Sequence, residues 1–250
     1  MADIHVTTPD GLKTALQTSG ATVILDNDLD FNAITMGSSA WASITAADLN
    51  GQGHTIYNIQ SGSSGTIFKN NQASSAVFKI HNVNFYNLLL LGTGVLCDGY
   101  SSTYHNLNLT ECKIQGKINR LFGNYLQNTY SVDHCNFKIN GDCRISDATF
   151  SLCYFDFDTP STNFYTSTYL TATDCYFKGH VKIPSGTFTS NNFVRNVWNA
   201  YNDNETTPTM QGTPNLYNSE RATFSGGIAL TTAQLEDRDY IANNTNFPIL

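Results

Sequence analysis

The chain has 250 residues, with 13 Lys+Arg against 20 Asp+Glu and a formal net charge of -7. That sign excludes a nucleic-acid binder, because phosphate backbones select a basic footprint. Hydrophobic residues make up 40% and aromatic residues 12% of the chain, which supports a core and excludes disorder. Only 13% of residues are charged, against about 25% in an average domain. Ser, Thr, Asn and Gln supply the remaining polar surface. Such a surface suits proteins outside cells, or strands that stack side-chain ladders.

The start, Met-Ala-Asp-Ile-His-Val, has no basic residues and no apolar stretch with a cleavage site, so no signal peptide is expected. Ile4 and Val6 begin an extended segment. Thr8 is placed to cap a helix, Pro9 fits its first position, and Leu12, Ala15 and Leu16 fall on one apolar face. Gly20 is expected to end the helix, and Ala21 to Leu25 reads as a strand. Residues 1–20 are thus expected to form a lid on an open sheet end, which would otherwise offer unpaired backbone to another chain.

From residue 21 to about 200 the chain repeats at irregular length. Val83-Asn-Phe85, Cys112-Lys-Ile114, Cys135-Asn-Phe137, Cys153-Tyr-Phe155, Cys175-Tyr-Phe177 and Asn191-Asn-Phe193 align, at intervals of 29, 23, 18, 22 and 16 residues. Self-similarity near 20 residues marks a solenoid, and alternation within each segment marks strands. Stacking such strands about 4.8 Å apart piles like side chains on like. Cys112, Cys135, Cys153 and Cys175 then form one inner column. Phe85, Ile114, Phe137, Phe155, Phe177 and Phe193 form a second. The thiols read as reduced packing residues, in preference to disulfides or zinc ligands, since no paired C-x₂-C hook is present.

Residues 201–250 break the rhythm. Pro208 and Pro214 mark loops, and Thr231-Thr-Ala-Gln234 is a capping box before Leu235, Tyr240 and Ile241. A short helix and an extended tail, Phe247-Pro-Ile-Leu250, are expected as a cap or docking segment. Leu88 to Leu91 is the longest apolar run, too short for a membrane span. Three Asn-x-Thr triplets begin at Asn108, Asn204 and Asn243. Without a secretion signal they read as unmodified.

Asp10-Gly-Leu-Lys-Thr-Ala-Leu16, Val23-Ile-Leu-Asp-Asn-Asp-Leu-Asp30, Trp41-Ala-Ser-Ile44, Leu49-Asn-Gly-Gln-Gly-His-Thr-Ile56 and Ile80-His-Asn-Val-Asn-Phe85 carry a resemblance. This opening third resembles pectin-lyase-like right-handed parallel β-helices. It is similar to GLUG-type bacterial surface adhesins and to β-helix proteins of phage tails and virions. The resemblance implies an all-β fold, a single right-handed parallel β-helix, and association as a homotrimer. Fold likeness does not transfer chemistry.

Outward positions form exposed ladders. Tyr154, Tyr176, Lys138, Asp156, Lys178, Asp158 and His180 are the candidate binding residues. The alignment puts Asp156 between Lys138 and Lys178, and Asp158 beside His180. Aromatic rings with amides and carboxylates suit a glycan-binding face. Asp156 and Asp158 could instead be a glycosidase acid pair, but flanking lysines favour simple cross-strand charge pairing. Asp26, Asp28 and Asp30 could hold Ca²⁺; a turn role fits them better. His54 sits in a Gly-rich turn, and Trp198 with Tyr201 reads as the floor of a last strand layer. No catalytic residue, metal or cofactor is assigned.

The surface looks extracellular while the thiols look reduced, and a phage virion protein made in the host cytoplasm satisfies both. The expectation is a non-enzymatic structural or adhesive virion component on a tail or capsid. Its partners would be other virion proteins and cell-surface glycans, with no nucleic acid and no membrane. A polysaccharide depolymerase and a bacterial surface adhesin are the alternatives.

Overall fold

The computed structural model describes residues 2–32, 34, 39–61, 65–72, 76–92, 94–99, 106–123, 129–140, 143–145, 148–157, 165–166, 170–181, 192–202, 215–224 and 226–245. The protein is mostly parallel β-sheet with few helices. A nine-stranded sheet begins with Asp3–Val6, Thr22–Leu25, Asp48–Asn50 and Val77–His81, and ends with Leu170–Thr173 and Asn192–Val194. A second, eleven-stranded sheet runs from Leu29–Asp30 through Thr55–Tyr57, Asn84–Leu90 and Lys113–Ile118 to Ile228–Leu230. Ala42–Ile44, Thr66–Asn70 and Val95–Gly99 make a third sheet. The chain visits the first sheet and then the second, and returns to the first one strand further on.

Alternate residues of each strand point inward, and the register lines them up. Phe85 pairs with Ile114, Ile114 with Phe137, Phe137 with Phe155, Phe155 with Phe177, and Phe177 with Trp198. All are buried. Phe137, Phe155, Phe177 and Trp198 stack face to face, with centroids 4.7, 4.9 and 4.0 Å apart. Each such side chain contributes about 1.5–3 kcal/mol by leaving water.

The cysteine column lies two residues earlier. All six cysteines are free and buried. Each column thiol donates to the carbonyl two residues back: Cys112 to Thr110 (3.3 Å), Cys135 to Asp133 (3.2 Å), Cys153 to Ser151 (3.1 Å) and Cys175 to Thr173 (3.3 Å). A small apolar group with a weak donor suits that place. Hydrogen bonding to Cys112 and Cys153, and then burial, raise the Cys135 and Cys175 thiols well above their ordinary range. Burial pushes Cys143 up to about 12.

The turn between the first and second sheets is two residues long and recurs with one backbone conformation. Its first residue is left-handed: Asn82, Glu111, His134, Leu152, Asp174 and Arg195 have φ between 51° and 56°. Such a residue costs about 1 kcal/mol or more unless it is glycine. A repeated bond offsets this, since the N–H of Asn82, Glu111, His134 and Leu152 reaches the carbonyl of Thr110, Asp133, Ser151 and Thr173 at 3.0–3.1 Å.

Here the structure corrects the sixth repeat. Asn191 lies outside the described residues, and Phe193 does not continue the aromatic column, because it pairs with Ala172 in the first sheet. The sixth repeat is Asn196-Val-Trp198, with Tyr176 opposite Val197 and Phe177 opposite Trp198. Asn196 takes the cysteine place, and Asn215 follows it. Asn196 Nδ2 donates to Ala172 O (2.8 Å), its Oδ1 accepts the Cys175 N–H (2.9 Å), and its own N–H reaches Asn215 Oδ1 (3.1 Å). The amide thus reaches the preceding-strand carbonyl that the Cys112 and Cys153 thiols also reach, at Ile80 and Val132, and its bond to Asn215 adds a cross-strand link. Trp198 is a floor residue, fully buried, but not of a last layer, because Leu216–Asn218 and Ile228–Leu230 extend the sheet beyond it. Tyr201 is exposed.

The ends are closed by helices. Helix α1, Pro9–Leu16, has Thr8 as its N-cap and buries Leu12, Ala15 and Leu16. It stops at Gln17, ahead of Gly20, whose φ of 68° serves the following turn. Helix α2, Thr232–Glu236, carries the expected capping box, and α3, Arg238–Asn244, follows directly. Ile241 packs on Leu216 and Leu230. The tail from 246 lies outside the described residues. No helix among the described residues is long and apolar enough to cross a membrane.

Candidate functional site

The exposed face of the second sheet carries rows of side chains at strand spacing. One row runs Thr55, Asn84, Lys113, Asn136, Tyr154, Tyr176. The next holds Tyr57, Tyr86, Gln115, Lys138, Asp156 and Lys178. Asp156 does lie between Lys138 and Lys178. Its Oδ2 is 3.7 Å from Lys178 Nζ, and the Asp156 charge holds Lys178 above its ordinary value. Tyr154 and Tyr176 stack at 5.4 Å, 11° from parallel. Burial raises Tyr154, with Lys178 opposing the shift. The Tyr176 hydroxyl accepts from Asn199 Nδ2 at 2.8 Å. His180 stacks on Tyr201 at 4.9 Å, and the Arg221 guanidinium lies 5.2 Å from the Tyr201 ring. Asp158 lies outside the described residues, so the carboxylate pair with Asp156 has no geometry to weigh.

The rows break at one place. Asn84 and Phe85 pair with Lys113 and Ile114, but the next register pair is Leu88 with Gly116. Tyr86 and Asn87 therefore share the space opposite Gln115. A bulge of this kind re-aims a side chain. Asn87 adopts φ 53° to make it, and its amide donates to Asn58 Oδ1 at 2.7 Å. Asn58 in turn donates to Asp30 Oδ1 at 2.8 Å. Gly116 is required beneath the bulge, because a Cβ there would stand 2.2 Å from Leu88 O. Leu88 is turned inward and buried.

Tyr86 is left 53% exposed, more than Leu152 or Tyr201. It borders an open depression of about 450 Å³ lined by Asp28, Thr55, Tyr57, Asn84, Phe85, Tyr86, Lys113 and Gln115. That volume falls in the range of small-ligand sites, about 300–1,000 Å³. Asp28 at its edge is engaged already: its Oδ1 accepts the Thr55 N–H at 2.7 Å and lies 3.3 Å from His54 Nδ1. Apart from Asp158, the residues singled out from sequence lie further along the same face, and the depression was not foreseen. Gly116, an isolated glycine within a strand pattern, was the available signal for a bulge.

Asp28 and Asp30 near the N-terminus accept backbone N–H groups, of Thr55 at 2.7 Å and of Asn32 at 2.9 Å, while Asp26 meets the His5 ring at 2.7 Å. Among the described residues no group of three or more His, Cys, Asp or Glu is placed to hold a metal. Comparison of the chain with protein-family models, with curated proteins and with solved structures gives no match.

Proposed function

We propose that the parallel sheets wind into a right-handed β-helix solenoid, and that this solenoid is a non-enzymatic structural or adhesive component of a phage virion. Its second-sheet face attaches to host glycans. The carrying observation is that face itself: tyrosine, amide and lysine side chains in register across successive strands, with a bulge-made depression at Tyr86. Rings that stack on sugar C–H surfaces, flanked by amides that read hydroxyls, are the recognition elements a glycan needs. Asp156, the carboxylate in the middle of the face, is paired with Lys178. The repeated visits of the chain to three sheets support the solenoid, and the free, buried thiols suit synthesis in a reducing host cytoplasm.

The test uses the full chain with polysaccharides extracted from candidate host surfaces. Binding is measured by co-sedimentation, and cleavage by the release of reducing ends. Binding without cleavage is expected. Cleavage that disappears with Asp156→Asn or Asp28→Asn would replace this reading with a depolymerase. Mass spectrometry of purified particles tests the virion assignment independently, and absence of the chain from them would refute it.

A further inference from the structure

We infer that the glycan held on this face is acidic, and that its anionic groups are taken by Lys113, which lines the Tyr86 depression, and by Lys117 further along the same strand. The inference rests on the glycan-binding reading of the same face. The chain as a whole carries a formal net charge of -7, so lysines gathered in one place need a reason. Lys113 and Lys117 point outward from one strand, four residues apart, which is about 13 Å along the sheet. Lys138 lies on the neighbouring strand opposite Gln115, midway between them. The side chains of Lys113, Lys117 and Lys138 are exposed. Around Lys113 and Lys117 the register brings the neutral side chains of Asn84, Asn136, Leu89 and Asn140, whereas Lys138 has Asp156 opposite it on its far side.

Further along, the pattern changes. Lys178 meets Asp156, as a sheet does when its charges serve only each other. Among the described residues neither Lys113 nor Lys117 enters an ion pair. At about 13 Å apart on an exposed face the two charges repel only weakly, so both stay open to a ligand. Lys113 lines the depression of about 450 Å³ with the exposed Tyr86, where the carboxylate of Asp28 is engaged by the Thr55 N–H; with Lys117 further along the strand it supplies what a carboxylated sugar requires. The ring of Tyr86 stacks on the apolar sugar face, the amides of Asn84 and Gln115 meet hydroxyls, and an ammonium receives the carboxylate. A polymer with anionic groups at regular spacing meets Lys113 and Lys117 in turn.

The experiment measures binding of the full chain to four immobilised polymers over a salt series. Alginate and hyaluronate are carboxylated sugars, dextran is a neutral sugar, and polyglutamate is a polyanion without sugar. Preferential, salt-sensitive binding to a carboxylated sugar is expected, since exposed charges are screened within about 10 Å at 0.1 M salt. Lys113→Gln and Lys117→Gln should each weaken it about three- to fivefold, and Tyr86→Ala should weaken it without changing its salt dependence. Binding to dextran that ignores the lysine variants overturns the acidic preference and leaves the glycan reading in place. Equal binding to polyglutamate, indifferent to Tyr86→Ala, overturns the proposed site. Binding to no sugar, in this series and to host polysaccharides alike, overturns both. Circular dichroism confirms that each variant is folded.

Discussion

Phe155→Ala removes the middle ring of the inner aromatic column. Phe155 is fully buried. It stacks between Phe137 at 4.7 Å and Phe177 at 4.9 Å, with the edge of Phe150 at 5.1 Å. Loss of a buried phenylalanine costs about 3–5 kcal/mol, more where neighbours cannot close the void. Here they cannot close it easily. Phe137 and Phe177 are pinned by strand pairing on either side, and strand spacing is fixed near 4.8 Å. The expected loss is therefore about 4–5 kcal/mol, read from the urea midpoint at unchanged m-value. Phe155→Leu keeps most of the volume and should cost about 1.5 kcal/mol. Tyr86→Ala, at an exposed position, should stay within about 0.5 kcal/mol. A Phe155→Ala loss below about 1 kcal/mol, or one equal to that of Tyr86→Ala, would refute the packed column and the register that builds it.

Gly116→Ala should destabilise the protein by about 3 kcal/mol, because the new Cβ would meet the Leu88 backbone rather than a yielding side chain; urea unfolding reads this, and a neutral effect would mean that the bulge is absent. Asn196→Leu leaves the Cys175 N–H and the Ala172 carbonyl without their amide partner, for about 3 kcal/mol. Cys153→Val loses a weak thiol donor and a weak sulfur acceptor for the Cys135 N–H, and should cost less than Asn196→Leu in the same assay. The Asp26 contact raises His5 above its ordinary value of 6.5. Its contribution is present below the unfolded-state pKa and is lost as pH rises through the folded one. An NMR titration should find the His5 midpoint lowered by Asp26→Asn, and an unmoved midpoint would dismiss the pair.

Much of the inner architecture was legible because its signals are local. The Cys-x-Phe spacing at Cys135, Cys153 and Cys175 states the strand period and the inward face together. The capping box at Thr231 and the N-cap at Thr8 are likewise contained within a few residues. The alignment failed where chemistry substituted for identity. Asn191-Asn-Phe193 imitates the repeat in letters, while Asn196-Val-Trp198 continues it in space. An asparagine can stand in the cysteine place because both reach the equivalent carbonyl of the preceding first-sheet strand, Ile80 for Cys112, Val132 for Cys153 and Ala172 for Asn196, a fact visible in the hydrogen bonds and not in the residue types. The left-handed corners were hidden for the same reason. Glu111, Leu152 and Arg195 are not residues that signal positive φ; backbone bonds to Asp133 and Thr173 hold the first two there.

The relation between order and function follows from this. Regular stacking inside forces regular rows outside, so ladders such as Lys138, Asp156 and Lys178 arise whether or not anything binds them. A row is therefore weak evidence for recognition. The departure from the row is stronger, since it carries a cost. Asn87 sits in a disfavoured conformation, and Gly116 is confined to a residue without a side chain. Strain of this kind persists only where the surroundings hold it, and here the Asn87–Asn58–Asp30 amide chain does so. What the bulge yields is one lifted tyrosine beside one depression, with Lys113 in its lining and in no ion pair among the described residues. The search for the binding site accordingly belongs at Tyr86 and Lys113, on the same face as Tyr154 and Tyr176 but at the point where that face stops repeating.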